Sequence, residues 1–322
     1  MKIRTLRAGV VPTSSGADTI QVTINRKYTV SPPLGLSISK KAPMLFPSSG
    51  IPLNVVNTIL KRALSGFYFD TFDDLRVIEE IIFDFDPSEN LGKIGSNVII
   101  ALEYAILRAG AKDESVWRFL NSYANELPTI IGECIGGGRH SQESTDFQEF
   151  LVIPHADTFH DCSYINHYVY WQLDNYIRPF KRTHAGSWIT TLETSEILDI
   201  LKKIRGNVFE KFDIPVGLGI DVAGNYLYSG GYYFYRKGKL DRENHIKYIN
   251  TLISKYELEY VEDPLEENDV DGFGKIKGDL VCGDDFVHGK LERLRDVRGK
   301  VNSVVIMPNV AGSLLKTKAL ID

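Results

Sequence analysis

Val216-Gly-Leu-Gly-Ile-Asp221 is a short apolar run closed by a carboxylate, and the chain repeats that form twice. Leu258-Glu-Tyr-Val-Glu262 runs into Asp-Pro, and Leu280-Val-Cys-Gly-Asp284 runs into a second aspartate. Runs this short and apolar read as strands buried on both faces. Between the first two, residues 242–255 carry a helical pattern. Strands alternating with helices build a parallel sheet or barrel whose strands all end at one rim. Asp221, Glu262 and Asp284 therefore gather there. Three carboxylates brought together repel one another unless a cation lies between them, and hard oxygen donors suit Mg²⁺.

The alternation extends outward from this stretch. Further strands are predicted at Thr129–Ile135, Phe147–Ile153 and Ser303–Met307, with helices near 160–178, 193–205, 288–296 and from Gly312. Before Leu127 the pattern differs. Residues 1–45 alternate apolar and polar, and Thr19–Asn25 with Tyr28–Ser31 reads as a hairpin. Residues 51–123 read as helical. Within them Ile94–Ala109 combines a dense apolar face with the small residues Gly95, Ser96, Ala101, Ala105 and Ala109, as in a helix buried between other elements. The expectation is an α/β chain of two domains. An α+β meander-and-helix domain spans 1–123, and a βα domain, read as a barrel, spans 124–322.

Composition narrows the function classes. The chain has 322 residues, 43% hydrophobic and 25% charged, with a net charge of −5 and no basic run. That excludes nucleic acid as an expected partner. No apolar run approaches membrane-spanning length, and Met1-Lys-Ile-Arg is too polar for a signal peptide. Cys134, Cys162 and Cys282 are odd in number and far apart, which reads as buried thiols of a reducing cytoplasm.

In this setting five segments, in order along the chain, resemble the enolase family. They are Lys-Ile-Gly-Ser-Asn-Val-Ile-Ile (93–100), Gly-Gly-Arg-His-Ser (137–141) followed by Asp-Phe-Gln-Glu-Phe (146–150), Gly-Ile-Asp-Val-Ala (219–223), Val-Glu-Asp-Pro-Leu-Glu-Glu-Asn-Asp (261–269) and Gly-Asp-Asp-Phe-Val (283–287). The resemblance implies Mg²⁺-dependent phosphopyruvate hydratase chemistry, 2-phosphoglycerate to phosphoenolpyruvate in glycolysis. It implies an N-terminal meander-plus-helices domain and a barrel that begins with two antiparallel strands. It assigns Asp221, Glu262 and Asp284 to the metal, His140 and Gln148 to the substrate, and His140 with Glu149 to catalysis. Asp263 and Asp285 would orient the ligands, and a homodimer is the implied assembly.

The departures from the family pattern bear on activity. The segment resembling the family's base-bearing strand end reads Val-Ile-Met-Pro-Asn-Val-Ala-Gly-Ser-Leu (305–314), so Met307 stands where the lysine base belongs. A thioether accepts no proton at neutral pH. Thr-His-Ala-Gly-Ser-Trp (183–188) places Ala185 at the position of an acidic residue, with His184 beside it. The mobile-loop serine has Ser37 and Ser39 as its candidates, and the segment 12–17 lacks the family's arginine. The family's last two βα units, with their phosphate clamp, have no counterpart before Asp322, so the expected barrel is incomplete. Three readings follow: an Mg²⁺-binding relative with impaired or no hydratase activity, a working enolase completed by a partner chain, or a superfamily lyase or isomerase acting on another carboxylate.

Overall fold

The computed structural model describes residues 1–14, 16–34, 43–47, 49–138, 144–177 and 181–322. They form two units, each with its own packing. The first comprises Met1–Asn125, His288–Arg295 and Ile306–Asp322, and the second comprises Glu126–Val287 and Asp296–Val305. Residues 288–295 and 306–322 thus pack with the N-terminal segment although the sequence pattern groups them with the βα region. Among the described residues no helix is long and apolar enough to cross a membrane.

The first unit starts as an antiparallel meander of β1 (Leu6–Pro12), β2 (Asp18–Ile24) and β3 (Tyr28–Val30). The predicted hairpin is β2 with β3. Ile20, Val22 and Ile24 alternate along β2 and are fully buried, the two-residue period of a sheet with one covered face. The cover includes helix Ser96–Ala111, in which 13 of the 16 residues are buried, from Ser96 to Ala111. Gly95 precedes it at φ 84°, and a β-carbon there would lie 2.5 Å from the Leu45 carbonyl oxygen, so only glycine fits. The helical stretch expected over 51–123 is broken. Helix Leu75–Phe85 is amphipathic with Leu75, Ile78 and Ile82 inside, and short turns separate it from its neighbours. Helix Leu314–Ile321 also belongs here, and its first backbone N–H donates to Glu103 Oε2 at 2.7 Å.

The second unit is built on one eight-stranded sheet. Its strands are β4 (Gly132–Gly136), β5 (Glu149–Pro154), β6 (Lys181–Arg182), β7 (Trp188–Ile189), β8 (Val216–Asp221), β12 (Leu258–Glu262), β13 (Leu280–Gly283) and β14 (Ser303–Val304). A separate three-stranded meander, β9 (Tyr228–Ser229), β10 (Tyr232–Tyr235) and β11 (Gly238–Asp241), follows β8. The sheet order is β14-β13-β12-β8-β5-β4-β7-β6. β5 runs antiparallel to both neighbours, while β8, β12, β13 and β14 are mutually parallel. Helices Phe159–Gln172, Thr194–Phe212 and Arg242–Tyr256 connect them. No ladder joins β14 to β6 among the described residues, so the sheet is an open, incomplete barrel whose first two strands pair antiparallel.

Two strand predictions change. The run expected at Ser303–Met307 pairs only at Ser303–Val304, because Pro308 starts a short helix whose N-cap is Met307. The β9–β11 meander is new, although Gly230-Gly231 and Gly238 mark its turns in the sequence.

Candidate metal centre

Register builds this site. Glu149 pairs with Asp221 across β5 and β8, Asp221 with Glu262 across β8 and β12, and Glu262 with Cys282 across β12 and β13. Register partners in a sheet present their side chains on the same face. Glu149, Asp221 and Glu262 are therefore three consecutive members of one row. Asp284 follows two residues after Cys282, just past the end of β13. The sequence-predicted metal ligands and the predicted acid Glu149 thus belong to one cluster, at one end of the parallel strands.

Asp221 and Glu262 are each held by neutral donors. Gln148 grips Asp221 twice, through its backbone N–H to the Asp221 carbonyl at 3.0 Å and through Nε2 to Oδ2 at 2.8 Å. The Ala223 N–H donates to Asp221 Oδ1 at 2.9 Å, from a residue held at φ 49°. The Tyr260 hydroxyl, two residues along the same strand, donates to Glu262 Oε2 at 2.5 Å. Asp263 ties two strand ends together. Its Oδ1 accepts from the Asp284 N–H at 3.0 Å and its Oδ2 from the Asp285 N–H at 2.7 Å. Asn225 Nδ2 donates to Asp285 Oδ2 at 3.1 Å.

Burial and mutual repulsion dominate the electrostatics. Asp221 is 3% exposed, and burial, then Glu262, Asp263 and Glu149, holds its carboxyl well above the usual range. Burial pushes Asp284 up to about 7, with Glu262 and Asp285 adding to it. Glu149 is pushed up to about 8, by burial first and then by Glu133, Glu262 and Asp284. Glu262 is raised by burial against the pull of the Tyr260 hydroxyl. The charged groups that move these four are other carboxylates. Among the described residues no lysine, arginine or histidine forms an ion pair with any of them.

The donor set fits a hard divalent cation: all carboxylate oxygen, largely buried, with uncompensated negative charge. Among the described residues, however, no three acidic, histidine or cysteine side chains stand close enough to hold an ion as placed. The neutral donors account for that. Gln148, Ala223 and Tyr260 draw Asp221 and Glu262 aside, so closure on a cation requires side-chain rotation.

The remaining predicted residues fall elsewhere. His140, Ser37 and Ser39 lie outside the described residues. His184 and Ala185 are exposed on the turn between β6 and β7. Met307 is half-buried and clusters with the first unit. The three cysteines are free and buried. Sequence reasoning missed Tyr260, although its two-residue spacing from Glu262 on a strand was the available signal.

Comparison with known proteins points the same way. A family model described as the C-terminal TIM barrel domain of enolase matches residues 124–321. The chain is similar to an enolase from Archaeoglobus fulgidus, 33% identical over 257 residues, which covers 76% of this chain and 64% of that protein's length. An enolase from Picrophilus torridus is 29% identical over 324 residues, covering 94% of this chain and 80% of its own. One from Methanothermobacter thermautotrophicus is 28% identical over 342 aligned residues, covering 98% and 82%.

Proposed function

The chain belongs to the enolase family, and we propose that it binds Mg²⁺ through Asp221, Glu262 and Asp284 while its hydratase chemistry is impaired. The observation that carries the metal reading is the carboxylate row, which has no cationic partner among the described residues. Bound there, Mg²⁺ supplies stabilisation of negative charge developing on a substrate carboxylate. Gln148 holds Asp221 through Oδ2 until the ion draws that side chain round, and Asp263 holds the backbone of Asp284 and Asp285. Glu149, raised to about 8, keeps its proton at neutral pH and is suited to donate it to a leaving hydroxyl.

The impairment follows from side-chain chemistry. Met307 offers a thioether where the family pattern calls for a lysine base, and Ala185 offers no acid. Losing one positioned base typically costs about 10²–10⁴ in rate. The ligand class is a small phosphorylated carboxylate such as 2-phosphoglycerate, and the buried free thiols support a reducing, cytoplasmic setting. Purified chain with Mg²⁺ and 2-phosphoglycerate is expected to form phosphoenolpyruvate at least about 10²-fold more slowly than a curated relative assayed alongside. Comparable turnover overturns the impairment.

A second reading rests on the sheet's free outer edge at β14. Unpaired edge N–H and C=O groups recruit further strands, so a partner segment or second copy would complete the sheet and, with it, the activity. Light scattering after size exclusion tests this: a strictly monomeric chain that captures no partner rejects it.

A further inference from the structure

Gly136 is the next member of the row, paired with Glu149 across β4 and β5. Its own position on that face carries no side chain, yet the space is filled. A β-carbon on Gly136 would lie 2.6 Å from Glu133 Oε1 and 2.6 Å from Ser187 Oγ. The Glu133 carboxylate therefore folds back over the glycine and occupies the place beside Glu149. A β-bulge between Glu133 and Ile135 shifts the register and frees it to do so.

Two buried hydroxyls hold it there. The Ser187 hydroxyl donates to Glu133 Oε1, and Thr183 Oγ1 lies 2.6 Å from Ser187 Oγ, so the hydrogens run from Thr183 to Ser187 to the carboxylate. Ser187 and Thr183 are 2% and 8% exposed. A chain of hydroxyls ending on a carboxylate is strengthened along its length. Both hydroxyls come from the hairpin of β6 and β7, whose turn is fixed by the Thr183 N–H donating to the Ser187 carbonyl at 2.9 Å. Glu133 is also the largest charged contributor acting on Glu149.

We propose that Glu133 is a positioning residue beside the cation site, placed over Gly136 by Thr183 and Ser187, and that the β6–β7 hairpin thereby tunes the affinity for the metal. This rests on the Mg²⁺ reading of Asp221, Glu262 and Asp284. Glu133 acts through Glu149, its neighbour in the row, and does not itself ligate. Groups of this kind typically change metal affinity by about 10–100-fold when altered.

The test is calorimetric titration of the full chain with Mg²⁺ alone, without substrate, for the parent and for Asp221→Asn, Glu133→Gln and Ser187→Ala, each checked for folding by circular dichroism. The expected result is no measurable binding for Asp221→Asn, a roughly tenfold weaker Kd for Glu133→Gln, and a several-fold weaker Kd for Ser187→Ala. If Asp221→Asn abolishes binding while Glu133→Gln stays within about twofold of the parent, the proposal fails and the metal site stands. If Asp221→Asn binds as the parent does, both fail. Should Glu133→Gln not fold, Ser187→Ala decides: weakened binding supports the placement, and parental binding overturns it.

Discussion

Replacing Glu149 by Gln is expected to stabilise the metal-free protein, and by an amount that grows with pH. Glu149 is raised from 4.5 to about 8, chiefly by burial and then by Glu133, Glu262 and Asp284. A carboxyl whose folded value lies above its unfolded value contributes stability that is full below the unfolded value. That contribution is lost as pH rises through the folded one. The window here is about pH 4.5 to 8. Each unit corresponds to about 1.4 kcal/mol, so at pH 7 the loss over some 2.5 units comes to about 3 kcal/mol. Glutamine has nearly the same shape and cannot ionise. Among the described residues the Glu149 carboxyl makes no hydrogen bond that the amide would forfeit. For a unit of this size about 3 kcal/mol corresponds to a rise of roughly 6–12 °C in Tm at pH 7. Thermal melts in EDTA at pH 4.5, 6, 7 and 8 measure it. The variant should coincide with the parent at pH 4.5 and pull away above it. A variant that melts lower at pH 8, or a gap that does not widen with pH, refutes the reasoning.

Three further outcomes follow from the same geometry. Mg²⁺ at a hundred times its Kd should stabilise the parent by about 2.7 kcal/mol, and Asp221→Asn should erase that shift in a thermal melt with and without the ion. Asp263→Ala strips the acceptor from the Asp284 and Asp285 N–H groups, each held at 3.0 Å or less. At about 1–3 kcal/mol for each of the two orphaned donors, urea unfolding should show a loss of roughly 2–6 kcal/mol, and Mg²⁺ binding should weaken with it. His245 is fully buried, 2.7 Å from both the Tyr235 hydroxyl and the Pro264 carbonyl oxygen, and burial lowers its imidazole to about 4. A lowered base contributes stability that is present above its unfolded value and lost as pH falls through the folded one. Stability should therefore drop between pH 6.5 and 4, and proton NMR should find His245 still neutral at pH 5.5. A midpoint near 6.5 contradicts it.

Much of this arrangement is legible in the residues alone. The three acid-terminated runs each emerge as strands, and Leu258–Glu262 does so with its boundaries unchanged, its Leu258, Tyr260 and Val261 buried. The row could not be read in the same way. Which residue of β5 lies opposite Asp221 depends on the register between strands separated by a long helix, and the bulge in β4 alters that register locally. The same limit hid Glu133, which looks like any residue of a predicted strand until Gly136 is seen to leave it room. Two-residue strands such as β6 and β7 carry no periodicity to detect. Met307 was identifiable by position in a motif, but proline at 308 decides its backbone by removing the next ladder donor.

The acids elsewhere in the same unit show why the row calls for a cation. Asp269 receives Arg242 through both Nε and Nη2, at 2.6 and 2.7 Å, and its carboxyl is held below the usual range by that arginine against the opposing effect of burial. Glu193 receives Arg236 Nη2 at 2.8 Å. Each of these two acids has a guanidinium partner. Among the described residues Glu149, Asp221, Glu262 and Asp284 have none, and all four sit where ionisation is opposed by burial and by neighbouring carboxylates. An apolar side chain at any of these positions would remove that opposition, since buried charges are tolerated only when paired or bound to a metal. Strain of this kind persists where function requires it. In the proposed function residue 307 bears on proton transfer, whereas the carboxylate row bears on the ion. Loss of the first leaves the second chemically intact, so Mg²⁺ affinity close to that of an active relative is expected even where turnover is not.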